Sequence, residues 1–298
     1  MKFWQAVAFL DTDQLLELAH ISDDCGYYGI MVSDHVFYPE KLDSRYPYSP
    51  TGAPIWDPAT PWPDAWVVIG AMSAVTTHLH FTTNIYLAAA RHPLVVAKAV
   101  GTAAVISHNR VALGLAAGWM QEEYEQLGQN FANRGKRLDE MVDVLRALWR
   151  GGWVEHHGAF YDFDRLQISP VPSSPVPIYA GGHSDVALRR AARLDGWIGN
   201  AYPIEDVLGH VARLNEFRQA AGTADREDYE IIVGALARPE LDLYRRMEDA
   251  GVTATICAPW MTGSGPPSAQ RVRGEGTADS SHLRRTVEDF ATRIVQRL

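Results

Sequence analysis

PIYAGGHSDVALRRAARLDGWIGNAY, residues 177–202, holds a complete strand–helix–strand unit. PIYAGG (177–182) reads as a strand, HSDVALRRAARL as a helix and WIGNAY (197–202) as the following strand. The alternation continues in both directions. Upstream, strands are expected at 2–10, 27–33, 80–87 and 110–118, and downstream at 230–237 and 253–260. Between them lie helical patterns after Asp11 or Asp13, either of which can act as N-cap, near 64–76, from Arg91-His92-Pro93 onward, over Met120–Leu127 and over Arg134–Trp149. IEDVLGHVARLNEFRQAAG, LDLYRRMEDAG and the closing HLRRTVEDFATRIVQRL supply the rest. Several strands are apolar on both faces, which indicates a parallel sheet covered by helices, and eight of them point to a closed α/β barrel, the TIM (β/α)8 fold. A doubly wound open sheet is the runner-up, weakened by the absence of GxGxxG after strand one.

Three segments fall outside this alternation. Residues of about 36–66 form a long insertion rich in Pro, Tyr and Trp, 152–177 are loop and hairpin-like, and about 262–282, rich in Gly, Ser and Pro, have the composition of a mobile loop. The expected organisation is one barrel domain over 1–298.

A chain of 298 residues with 47% apolar content can bury a full-sized core. Its net charge of −9 repels polyanions, so nucleic acid is not an expected partner. Cys25 and Cys257 lie far apart without metal-binding spacing, which suits a reducing compartment. The start has no signal-peptide pattern, and no apolar run approaches the roughly 20 residues that span a bilayer. The expectation is a soluble, cytoplasmic protein acting on a small molecule.

In such a barrel the loops at the carboxyl ends of the strands build the site. Asp34 and His35 end strand two, beneath the long insertion, and offer an acid/base pair, a metal pair or a structural corner. His92 either faces the same cavity or caps its helix. His78 and His80 form an HxH that precedes its strand, hence at the opposite end of the barrel, where surface histidines are the simpler reading than zinc. Gly181-Gly182-His183-Ser184 allow close approach to the backbone, and Ser184 can cap a helix whose free N–H groups would hold a phosphate. Gly114–Gly118 and Leu87–Ala90 end their strands in small residues that leave room for a flat ring, or serve tight packing. Trp56, Trp119, Tyr202 and Trp260 are candidate walls, with ordinary core packing as the alternative.

Together "SDHVFYPEKLDSRYPYSP", "TPWPDAW", "RHPLVVAKAV", "GLAAGWMQEEYEQLG", "RGKRLDEM", "ALW" and "PIYAGGHSDVALRRAARLDGWIG", in consistent order over about 27–200, resemble the bacterial-luciferase-like oxidoreductases, and within them the branch using the deazaflavin coenzyme F420. The resemblance implies a TIM barrel with insertions, often a homodimer, binding F420 or alternatively FMN at the carboxyl face. It implies that His35 lies near the coenzyme ring and that Ala88 and Ala89 match a strand-three bulge carrying a non-prolyl cis peptide in many relatives. It further implies that Gly118 and Trp119 edge the site and that Gly181, Gly182, His183 and Ser184 take the coenzyme phosphate. One departure stands out. Where some F420-dependent dehydrogenases carry a glutamate at the end of strand four, this chain has Ala116-Ala117-Gly118; Glu122 and Glu123 lie one turn into the next helix and read as surface or dimer residues.

The function expected is therefore hydride transfer between F420 and a small organic substrate under the 36–66 loop, with no metal. His35 would hydrogen-bond near the ring or relay a proton, and Asp34 would orient it. The rivals are an FMN-dependent monooxygenase, a metallohydrolase using Asp34, His35 and His92, and a coenzyme-binding barrel without turnover.

Overall fold

The structure is a computed structural model that describes residues 1–261 and 280–298, and in it each expected strand forms, shorter than expected except the one at 197–202, which gains Gly196. The strands are β1 (Lys2–Ala6), β2 (Gly29–Val32), β3 (His80–Thr83), β4 (Leu113–Leu115), β5 (Val154–His157), β6 (Asp162–Leu166), β7 (Ile178–Gly181), β8 (Gly196–Tyr202), β9 (Glu230–Ala235) and β10 (Ala254–Cys257). β5 and β6 pair as a separate antiparallel hairpin within 152–177. The other eight run parallel in the order β3-β2-β1-β10-β9-β8-β7-β4. Parallel bridges from Phe81 to Val111 and from Tyr86 to Leu115 bring the two ends of that sheet together, which makes the fold a barrel and excludes the open-sheet alternative.

Helices α1 (Leu15–Asp24), α2 (Ala65–Ala74), α3 (Pro93–Ile106), α4 (Gln121–Gln126), α5 (Arg134–Trp149), α6 (Asp185–Ala191), α7 (Ile204–Ala221), α8 (Leu241–Asp249) and α9 (Ser280–Arg293) follow the strands. The cap expected of Asp11 or Asp13 is not made: a 3-10 turn, Thr12–Gln14, intervenes before α1, and Asp11 contributes only its carbonyl to Gln14 N–H. Asp64 caps α2 instead, accepting from Trp66 and Val67 N–H at 3.0 Å each, and so ends the insertion at residue 64. Residues 36–64 contain no helix or strand. Of the segment expected to be mobile, 262–279 lie outside the described residues and 280–282 open α9.

Inside the barrel, Trp4, Met31, Ala112, Tyr179, Ile198, Ile232 and Ala254 pack on one another and close it. With side chains alternating along each strand, the next inward position toward the carboxyl end falls two residues on. That places Ala6, Ser33, Gly114, Gly181, Asn200, Gly234 and Ile256 above the plug. Apart from Ile256, the residues of this upper layer are small or polar. The main core lies outside, between strands and helices, and includes Phe3, Ile30, Phe81, Leu113, Trp197 and Phe290. Among the described residues no helix is long and apolar enough to cross a membrane.

Candidate active site

Asp34 follows β2 and is 6% exposed. Its carboxylate receives two N–H groups of Arg91, at 2.7 and 2.9 Å, and the Leu87 N–H at 2.9 Å. Burial raises this carboxyl above its ordinary value, against the pull of Arg91 and Leu87 N–H. The expectation that Asp34 orients His35 is corrected here. Its hydrogen bonds go to the strand-three loop, and a buried two-pronged ion pair fixes that loop's position.

His35 is held by a residue assigned to the surface on sequence grounds. Glu123 on α4 is 1% exposed; its Oε2 lies 3.2 Å from His35 Nδ1, and its Oε1 accepts the Val36 N–H at 2.7 Å. The adjacent Glu122 accepts the Asp43 and Ser44 N–H groups at 2.7 and 3.0 Å. Burial alone would raise the Glu122 carboxyl; the hydrogen bonds from Ser44 and Asp43 outweigh it and hold the carboxyl below its usual range. Two consecutive carboxylates of a short helix therefore anchor the long insertion at two points. Sequence reasoning missed both because the phase of a six-residue helix on the barrel is not set by its own pattern.

Around His35 the insertion builds an aromatic cage. The imidazole centroid lies 5.1 Å from Trp56, 4.9 Å from Trp62 and 6.0 Å from Trp119. Tyr46 joins Trp56 and Trp119 at 5.0 and 5.2 Å and contacts Tyr48 at 5.5 Å, and Tyr48 reaches His183 at 5.5 Å. The Tyr202 hydroxyl lies 3.5 Å from His183 Nδ1. His183 further contacts Tyr202 and His210, at 5.9 and 5.7 Å. The Asp34–His35 corner and the Gly181–Ser184 loop thus open on one mouth, and the insertion crosses between them. Phe9 adds its ring to Trp62 at 5.6 Å from a backbone at φ +71°, a left-handed conformation whose cost is about 1–3 kcal/mol and which the surrounding rings hold.

Gly118 and Trp119 stand at the edge of this mouth. Gly118 has φ +74°, and a β-carbon there would meet Leu87 Cδ2 at 2.7 Å, so glycine is needed twice over. Ala88 and Ala89 sit differently from expectation: both are fully buried in a 3-10 turn, with Ala89 O accepting from Arg137, and the non-prolyl cis peptide falls at Asn84–Ile85. Gly182 turns at φ +106° and its carbonyl accepts the Trp197 indole N–H at 2.7 Å. Ser184 caps α6 through Ala187 N–H at 3.3 Å, as expected. Asp185, gripped by Arg189 and Arg213, puts a carboxylate in that helix's first turn, which disfavours an anion held by the helix end alone.

Other candidates separate from the site. His92 is exposed and caps α3 through Leu94 N–H. His80 stacks on Tyr28 at 4.5 Å, at the amino end of the barrel strands. Burial, with Arg110 adding to it, lowers its pKa. Trp260 packs against the main core in the turn after β10. Among the described residues no His, Cys, Asp and Glu cluster has the geometry of a metal site.

Comparison with known proteins adds family evidence. A family profile described as luciferase-like monooxygenase matches residues 7–239. An uncharacterized protein of Mycobacterium tuberculosis is 38% identical over 256 residues, 86% of this chain and 88% of the relative. Two solved structures share the fold at low identity. The coenzyme F420-dependent tetrahydromethanopterin reductase of Methanopyrus kandleri superposes with a TM-score of 0.72 at 14% identity, covering 99% of both chains. The oxygenating constituent of 3,6-diketocamphane monooxygenase from Pseudomonas putida, in complex with FMN, gives 0.60 at 17% identity, covering 78% of this chain and 67% of that one.

Proposed function

From a chain that belongs to the luciferase-like monooxygenase family, and is thereby an oxidoreductase, we propose an enzyme that passes hydride between coenzyme F420 and a small organic substrate. One observation carries the reading. The small inward layer of Ala6, Ser33, Gly114, Gly181 and Gly234 lies above the plugged barrel, between the His35 corner and the Gly181–Ser184 loop, under an aromatic roof. We read the mouth above this layer, where Ile85 occupies the space beside Gly181, as the seat of a flat ring, and the buried Trp62 indole N–H beside His35 lacks a partner.

When bound, the coenzyme supplies the hydride chemistry. Gly118 and Trp119 would edge its ring, and Gly182 and His183 would take its phosphate end. His35 holds or moves a proton beside the ring, and Trp56, Trp62, Tyr46 and Tyr48 exclude water above it. End-to-end likeness to an F420-dependent reductase and an F420-dependent secondary alcohol dehydrogenase supports the F420 reading; an equally complete likeness to a monooxygenase, with the match to an FMN complex, keeps the flavin monooxygenase as the second reading. We read 1–298 as one barrel domain in a reducing, cytoplasmic setting, with Cys25 and Cys257 both free. The metallohydrolase reading loses its ligands, since Asp34 is committed to Arg91 and His92 to α3.

A homodimer completes the proposal. α2 carries no charged residue and α3 only Lys98, yet Val67 on α2 is 70% exposed and Val95 on α3 is 61% exposed, with Val105 and Ile106 beyond it. Two neighbouring helices apolar all round call for cover, and a second copy related by a two-fold axis supplies the same surface in return. The test of the coenzyme assignment is an absorbance titration of the purified protein with F420 and with FMN. Saturable F420 binding supports the reading; tight FMN binding with none for F420 reverses it to the monooxygenase.

A further inference from the structure

Among the described residues the Glu123 carboxylate has two hydrogen-bond neighbours, the Val36 N–H and the His35 ring, and no lysine or arginine in ion-pair range. A backbone N–H is a donor and nothing else, so Oε1 is committed as acceptor to Val36. An ionised carboxylate accepts only, so the atom facing Oε2 must donate. In neutral imidazole that requirement places the hydrogen on Nδ1 and leaves Nε2 with a lone pair. The three rings closest around His35 are indoles, which offer an N–H donor and no acceptor, so none of the three competes to hold a hydrogen at Nε2.

We propose that Glu123 is a positioning residue that fixes His35 in its Nδ1–H form, so that Nε2 accepts a hydrogen bond from a hydroxyl or N–H of a largely apolar, uncharged substrate. The cage supplies the apolar part of that specificity through Trp56, Trp62, Trp119 and Tyr46. Because the same carboxylate holds Val36, the first residue of the insertion past His35, orientation of the base and seating of the loop depend on one side chain. The role in turnover rests on the hydride-transfer reading; the tautomer is a property of the free protein.

The test is nitrogen-15 NMR of histidine-labelled protein without coenzyme or substrate. The protonated nitrogen of His35 is expected to be Nδ1 in the wild type. In Glu123→Gln the Val36 N–H still demands the amide oxygen, which turns the NH2 toward Nδ1 and moves the imidazole hydrogen to Nε2. Turnover of that variant should fall by about 100-fold with little change in KM. A wild-type His35 protonated at Nε2 overturns the proposal without recourse to any variant, as does a folded Glu123→Gln protein with an unmoved tautomer. The expected tautomers in a protein that binds neither F420 nor FMN would uphold the His35–Glu123 pair and reject the hydride-transfer reading.

Discussion

Gly181 and Ile85 interlock across the barrel mouth: a β-carbon on Gly181 would stand 2.6 Å from Ile85 Cγ2. Ile85 follows the kink at Asn84 and sits in the space the glycine leaves. Gly181→Ala should therefore push a branched side chain into the mouth and cost about 1–3 kcal/mol in urea unfolding, and it should weaken coenzyme binding as well. An alanine variant as stable as the parent, with unchanged binding, would show that Ile85 has slack.

Asp34 and His35 are neighbours with separable duties. Asp34→Asn removes the counter-charge of the half-buried Arg91 guanidinium and should cost about 2–3 kcal/mol. His35→Gln leaves that pair intact and should cost less than about 1.5 kcal/mol while abolishing turnover. Parallel denaturation curves for the two variants check the ranking, and equal losses would contradict it.

Acid stability should carry the mark of Asp23. Burial by itself would raise that carboxyl, but the Thr77, His78 and Leu79 N–H groups and the Thr77 hydroxyl outweigh it and hold it below its ordinary 3.8. A depressed folded-state pKa adds stability that is fully present above the unfolded value and is lost as pH falls through the folded one. Asp23→Asn should thus be less stable than wild type at pH 7, with the gap closing below about pH 4. A gap that persists unchanged to pH 2 would assign the effect to something other than charge.

Val67→Glu or Val95→Glu should turn a dimer into a monomer in sedimentation at micromolar concentration, with the protomer fold retained because both side chains are exposed within it. A wild-type protein that sediments as a monomer would remove the proposed role of α2 and α3.

The barrel was legible because its strands are short apolar runs and its helices show regular spacing, signals that each segment carries within itself. Arg134–Trp149 even coincides with α5 end to end. His35, Gly118, Trp119, Gly182 and His183 were also reachable, since a residue at a strand's carboxyl tip in this fold faces one end. Glu123, Tyr46, Tyr48 and the Asn84–Ile85 kink were not. Tyr46 and Tyr48 are placed by a 29-residue stretch without regular structure (36–64) folding across the mouth, Glu123 by which face a six-residue helix presents, and the kink by the loop after β3; none of these leaves a periodic trace. Asp34 misled for a related reason. Its partner Arg91 lies on another loop, at a distance in sequence that no pattern spans.

The three indoles gathered about His35, with Trp56 only 5.2 Å from Trp62 and 6.3 Å from Trp119, give the protein an optical signature of its own. Transition dipoles that close exchange excitation, so near-ultraviolet circular dichroism and tryptophan emission will register any change in how the insertion sits. Occupancy of the mouth is then readable by light from the unlabelled chain, even for a ligand that is itself colourless.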